Sequence, residues 1–532
     1  MTAPSIRQQW NTIPTLPVLG QVLLSSRLQI LLTPGQVIIG YTGAAGIAVV
    51  LIIVHYFVAF QPMLDSFRDE TNPGGVQTAP FKANPVDLMI LTFFRRPFGG
   101  DPRRVRLKRR RWRALDTRLT KCILSMSDLQ LATGLAILIS GYTQLRCGIV
   151  SYHWRILGRV AWFSSLTHLS CLTFLRNYLY NHRAQRQWRL FFMLVLIVLL
   201  TANLVSMGGE QWFSGDAFEP ATTDYAICFY PVKFTSEPEE AFWSMILLVS
   251  LIVFGFIFRI VKLHYSLALF VVKSLRQRTS QLARRLLWML VDWKSLPGGP
   301  KRLAAVITYY PAMASFLSLR LVTDHFSSMF FEVYWLFISY LVGLLGLLVN
   351  LNILWQDPDL EYLYEGVIDN TWSFGQIVPI LLLALPLVNV LESLYSGTTT
   401  TPANPTNWPP PKACPDKNYY EESTAMGAGT LHILICGLAI SGFALLHQIG
   451  WARLAMPIFD LEYGLIAPPI GLWVVMLVSL LIDRVVWEPK IGVEKRWWRK
   501  KRRVILQTVN VVVVAGISTF LMFRLTLYIV WY

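Results

Sequence analysis

Long apolar runs separated by short polar, often basic, stretches set the pattern of this chain. The runs fall at 37–58, 123–142, 158–175, 190–205, 241–261, 330–351, 377–391, 430–446, 465–482 and 504–531. Most approach the roughly 20 residues that an α-helix needs to cross about 30 Å of hydrocarbon. They are continuous, where barrel strands would alternate apolar and polar positions. The pattern predicts an all-α, polytopic transmembrane helical bundle of about ten spans with no large soluble domain. The stretch 303–319 is also apolar enough to shift that count by one or two.

Lysine and arginine placement orients the bundle. The basic stretches at 103–113, 176–189, 262–302 and 484–503 all fall on one side if ten spans are counted, and that side is expected to be cytoplasmic. The organisation that follows has a non-cytoplasmic segment at 1–36 and a first five-span bundle at 37–261 with a basic cytoplasmic loop at 103–118. A basic amphipathic region at 262–329 separates it from a second five-span bundle at 330–532. The run SLRQRTSQLARRLLWMLVDWKSL sets arginines among Leu and Trp at helical spacing, which suits the membrane interface. The first apolar run follows a long polar lead and reads as a start-transfer anchor, with no cleavable signal peptide. The loop at 209–240 is acidic and aromatic. The loop at 397–426 is rich in Thr and Pro and reads as an extended linker.

Composition agrees. Of 532 residues, 54% are hydrophobic and 15% charged, where a soluble chain would carry about 25% charged residues. The formal charge of +17 would otherwise suggest nucleic acid, but the basic residues flank apolar runs. Topology anchoring, or recognition of membrane lipids, is the expected use of that charge, with no nucleic-acid partner. Of the six cysteines, Cys122, Cys171 and Cys436 lie in or beside runs, where cysteine acts as a small hydrophobe. Cys147 and Cys228 fall together on the non-cytoplasmic side, and whether they pair is open at this level. No spacing suggests a metal site.

Polar residues inside the runs carry the candidate chemistry, because in hydrocarbon they are expected to face the bundle interior. The third run contains AWFSSLTHLSCLTFLR, placing Ser164, Ser165, Thr167, His168 and Cys171 on overlapping helix faces. The second opens with SMSDLQLATG, where Asp128 is followed by Gln130 and Thr133 and preceded by Ser127. A short connection makes these two helices antiparallel neighbours. Two readings stand. The polar side chains are interhelical hydrogen bonds worth about 0.6 kcal/mol each, or they line a cavity where Asp128 or His168 handles a proton. No G-x-S-x-G elbow supports a hydrolase. A second region, 355–392, combines an acidic loop with a helix expected to kink at Pro379 and Pro386, studded with Gln376, Asn389 and Glu392. Glu332, Asp460 and Glu462 read as interface residues.

No GxxxxGK[ST] loop, DDxxD run, NxxxDxxxD pattern or two-half symmetry is present. A built-in ATP-driven pump, a diphosphate-ionising terpene synthase and a prenyltransferase are therefore disfavoured.

The stretch SDLQLATGLAILISGYTQL, followed by SYHW and AWFSSLTHLSCLTFLRNYL and later by WSFGQIVPILLLALP, resembles a large set of mostly uncharacterised multi-spanning membrane proteins of filamentous fungi, some encoded beside secondary-metabolite pathways. It is more distantly similar to the non-canonical membrane-bound terpene cyclases of fungal meroterpenoid pathways. That resemblance implies a multi-pass enzyme of the endoplasmic reticulum or another endomembrane, without cofactor, acting on a lipophilic small molecule beside neighbouring pathway enzymes. Such an enzyme protonates an epoxide or olefin of a prenyl chain and guides ring closure. An enclosed carboxylic acid can serve as general acid, so Asp128 is the first candidate and Glu392 the second, with His168 tuning or reloading the acid. Ser164, Thr167, Gln130 and Gln376 would line the substrate site. Trp154, Trp162 and Trp372 would face a developing carbocation, or simply anchor at the interface. The rival class is a transporter or sensor-like membrane protein, in which Asp128 and His168 form a proton relay.

Overall fold

A computed structural model of the chain describes residues 34–58, 60–62, 83–95, 102–146, 148–149, 151–206, 226–229, 240–271, 278–295, 299–356, 424–448, 461–487 and 516. Among these residues the regular structure is helical throughout. The helices are α1 (Pro34–Val58), α2 (Pro85–Arg95), α3 (Pro102–Gln144), α4 (Ser151–Phe174), α5 (Arg176–Asn181), α6 (Arg183–Ser206), α7 (Glu240–Leu263), α8 (Tyr265–Val271), α9 (Arg278–Ser295), α10 (Pro300–Ser327), α11 (Met329–Gln356), α12 (Thr424–Gln448) and α13 (Leu461–Trp487).

Among the described residues five stretches are long and apolar enough to cross a membrane: Ile38–Val58, Ile123–Gln144, Arg183–Ser206, Met245–Leu263 and Met329–Leu348. The expected spans at 37–58, 123–142, 190–205, 241–261 and 330–351 fall on them. Those at 430–446 and 465–482 fall on α12 and α13, whose described side chains form the apolar segments Ala425–Ala439 and Pro468–Leu481. The runs at 377–391 and 504–531 lie outside the described residues. Residues 103–118, expected as a loop, are instead the front of α3, one 43-residue helix. Pro102 suits its first turn, and the Arg, Lys, Leu and Ala that follow are strong helix formers.

The expected third span falls on α4, which is helical but too polar to count among the five. Its surroundings explain this. It packs on α1, α3, α6, α7 and α11, and every residue from 160 to 173 is buried. A helix wrapped by other helices presents no side chain to lipid, so hydroxyls cost little there if they find partners. Close approach is secured by glycine. A Cβ on Gly134 of α3 would overlap the Ser164 side chain, and one on Gly141, two turns on, would overlap Leu157.

The short helix α2 ties three helix ends together. Asp87, 3% exposed, accepts hydrogen bonds from the N–H groups of Met329 (3.0 Å) and Phe330 (2.9 Å) at the start of α11, and from the Tyr56 hydroxyl (3.0 Å). It caps α11 from a distant part of the chain. Burial pushes its carboxyl group above the usual carboxylate range, against the pull of those two N–H donors. Arg95 donates to the carbonyls of Phe57 (2.9 Å) and Phe60 (2.8 Å) at the end of α1. Asn84 donates to the Asp324 carbonyl (2.7 Å) near the end of α10.

Within the expected amphipathic region, α9 packs on α10. It leaves Leu282, Leu286, Trp288 and Met289 exposed on the same helix as Arg284 and Arg285.

Candidate functional site

The polar side chains of α3 and α4 meet near the basic end of the bundle. Ser127, fully buried, contacts His168 Nδ1 at 2.8 Å. His168 is also fully buried, and its Nε2 is sealed from solvent with no hydrogen-bond partner among the described residues. One turn on, the buried thiol of Cys171 lies within reach of Ser127, Asp128 and Arg189. Close by, Ser164 donates to the Gln130 carbonyl across the seam, while the Gln130 Oε1 is buried without a donor.

Asp128 turns to a third helix. Arg189 of α6 donates to it twice, Nε to Oδ1 at 2.8 Å and Nη2 to Oδ2 at 2.7 Å. The Asp128 side chain is 34% exposed and that of Arg189 only 5%. Gln185 supports the guanidinium through its amide oxygen at 3.2 Å. This two-point geometry is the strongest form of carboxylate pairing. Both carboxylate oxygens are taken, so proton donation by Asp128 would require the pair to open.

Ser165, Thr167 and Thr133 turn back on their own helices. Ser165 donates to the Trp162 carbonyl (2.7 Å), Thr167 to that of Phe163 (3.0 Å), and Thr133 of α3 to that of Leu129 (2.9 Å). Thr167, proposed from sequence as substrate-contacting, is thus engaged locally, the usual behaviour of Thr within a helix. Trp154 and Trp162 are both fully buried, so neither is an interfacial anchor. Trp154 sits at the far end of α4, donating to Ser206 Oγ at 3.0 Å and edge-on to Tyr142. Trp162 faces α11, donating to the Ser339 carbonyl at 3.2 Å.

The structure therefore gathers Ser127, Asp128, Gln130, Ser164 and His168 at one seam and disperses Trp154 and Trp162. Glu392, Trp372 and Gln376 lie outside the described residues, as do Cys147 and the Cys228 side chain.

Arg189 was not among the residues singled out from sequence. Its signal was depth. The spans Ile123–Gln144 and Arg183–Ser206 are separated by α4 and the short α5 and run in the same direction, since Tyr142 near the end of the first also donates to the Leu199 carbonyl (2.8 Å) of the second. Asp128 and Arg189 therefore meet at similar height, toward the end of both helices opposite Tyr142 and Leu199.

No family model, curated protein or solved structure matches the chain.

Proposed function

We propose that this chain is a membrane-embedded enzyme that transfers a proton to or from a lipophilic small molecule at His168. Following the resemblance of its spanning core, the reaction is the cyclisation of a prenyl chain. One observation carries the reading: Ser127 fixes one ring nitrogen of His168 while the other is enclosed and unpartnered. An imidazole held at Nδ1 offers Nε2 in a single orientation, which is what general acid–base work needs. Written for an epoxide, the Nε2 proton of the His168 imidazolium passes to the epoxide oxygen as the C–O bond breaks, leaving the neutral imidazole. The alkene electron pair then closes the ring, and the resulting cation returns a proton to the imidazole. Asp128 and Arg189 are positioning residues in this scheme, locking α3 to α6 beside the ring. Glu392 and the aromatic Trp372 remain candidates in the same proposal, as do the ten-span count, an endomembrane location, independence of a cofactor and neighbouring pathway enzymes as partners.

The test is product formation. Microsomes containing the chain, supplied with epoxides of prenylated phenols, are expected to release a cyclised isomer of unchanged mass. His168→Phe abolishes it at equal protein level, and Asp128→Asn reduces it. Undiminished product from His168→Phe overturns the assignment, and no product from any such epoxide overturns the cyclase reading.

A second reading, a proton-coupled carrier, is favoured by the step from Asp128, one-third exposed, to His168, fully enclosed. Chain-dependent uptake without a new product selects it.

A further inference from the structure

On the side of α4 away from Asp128, two cations meet at one carboxylate and a third, Arg259, lies beside it. Glu332, expected at the interface, is 3% exposed. Its Oε1 accepts from Arg176 and from Lys262 Nζ, the latter at 2.8 Å. Lys262 also donates to the Ser328 carbonyl at 3.2 Å. Arg259, buried, donates to Thr173 Oγ1 (2.7 Å), to the Gly255 carbonyl (2.7 Å) and to the Glu332 carbonyl (3.5 Å). Asp87, the other acid that Lys262 feels, is committed to the α11 N-terminus and Tyr56. Among the described residues three cations thus stand against two carboxylates, and the Glu332 carboxylate touches two of them. A surplus positive charge enclosed by helices is costly unless an anion meets it.

The open bonding capacity points the same way. A guanidinium has five N–H donors and an ammonium three. Among the described residues Arg176 directs one donor and Lys262 two to protein acceptors. These two are also the members that reach solvent, at 17% and 12% exposure. Glu332 Oε2, by contrast, is buried with no donor. A ligand that satisfies both must accept several hydrogen bonds and donate one, as a singly protonated phosphate does. Lys262 and Glu332 lie at the ends of two membrane-crossing stretches, Met245–Leu263 and Met329–Leu348, the depth at which lipid phosphates sit.

From this geometry we infer that Arg176, Lys262 and Glu332 form a phosphate-binding site at the membrane rim, independent of the proton chemistry at His168. Its occupant is a phosphate group, carried by a lipid headgroup or free in solution.

Binding to the full-length protein in detergent is measured by native mass spectrometry, with dioleoyl phosphatidic acid and dioleoyl glycerol as probes. The wild type is expected to retain the phosphatidic acid and lose the glycerol. Arg176→Gln weakens retention about tenfold, the loss of one charge-assisted contact. Arg285→Gln, on the exposed face of α9, leaves it unchanged. Displacement of the lipid by millimolar inorganic phosphate, with chloride as ionic-strength control, assigns the site to free phosphate. Resistance to displacement assigns it to lipid. Equal retention of the two lipids by the wild type overturns the inference even if no variant folds. So does an equal loss in Arg176→Gln and Arg285→Gln, which would signify diffuse attraction to a basic protein.

Discussion

Asp128 and Arg189, 61 residues apart in the chain, meet through two near-parallel hydrogen bonds of 2.8 and 2.7 Å. The pair is lopsided, because the arginine is enclosed and the aspartate is one-third exposed. Removing Asp128 strands a buried guanidinium, whereas removing Arg189 leaves a carboxylate that water can reach. Asp128→Ala is therefore expected to lower the melting temperature more than Arg189→Met. The double variant should be no worse than Asp128→Ala alone. A double-mutant cycle should give a coupling of about 1–2 kcal/mol, between the values for exposed and fully buried pairs. Equal and additive losses would show that the pair does not act as a unit.

The cap that Asp87 places on α11 makes a sharper demand. Asp87→Ala leaves the N–H groups of Met329 and Phe330 and the Tyr56 hydroxyl without their acceptor in a buried place. A loss of about 2–4 kcal/mol is expected from the cap and the stranded donors together. Hydrogen exchange should show the first turn of α11 opening before the rest of the helix. Unchanged protection at Met329 and Phe330 would contradict this.

Gly134 is expected to tolerate no side chain. In Gly134→Ala the new methyl group overlaps Ser164 Oγ and Cβ, so α3 and α4 must part or Ser164 must move. The cost should be about 1–3 kcal/mol, read as reduced thermal stability in detergent. Adding Ser164→Gly should recover most of it. Failure of that second change to help would place the strain elsewhere.

Membrane character and the position of the five apolar stretches were legible because lipid imposes one rule on every outward residue. The seam between the second and third runs was legible for a related reason. Ser127, His168 and Ser164 recur at helical spacing on two helices joined by a short turn, and such helices must touch. Contacts needing a third helix were not legible. Nothing local to Arg189 names Asp128 as its partner, and Glu332 read as an interface residue because the lysine and two arginines near it come from α5 and α7. Trp154 and Trp162 misled in the opposite sense. Tryptophan is common at membrane interfaces, but here both indoles fill the interior and each finds an acceptor for its N–H.

The enclosure of α4 bears on how the chain is made. A segment bearing Ser164, Ser165, Thr167 and His168 gains little from acyl chains by itself, so it is a poor passenger for release from the insertion machinery one helix at a time. Of its five wrapping helices, α1 and α3 are synthesised before it and α6, α7 and α11 after it. For as long as the ribosome takes to complete those later three, this segment must shelter against its predecessors or linger at the exit of the channel, and biogenesis of the whole bundle waits on its last wrapper.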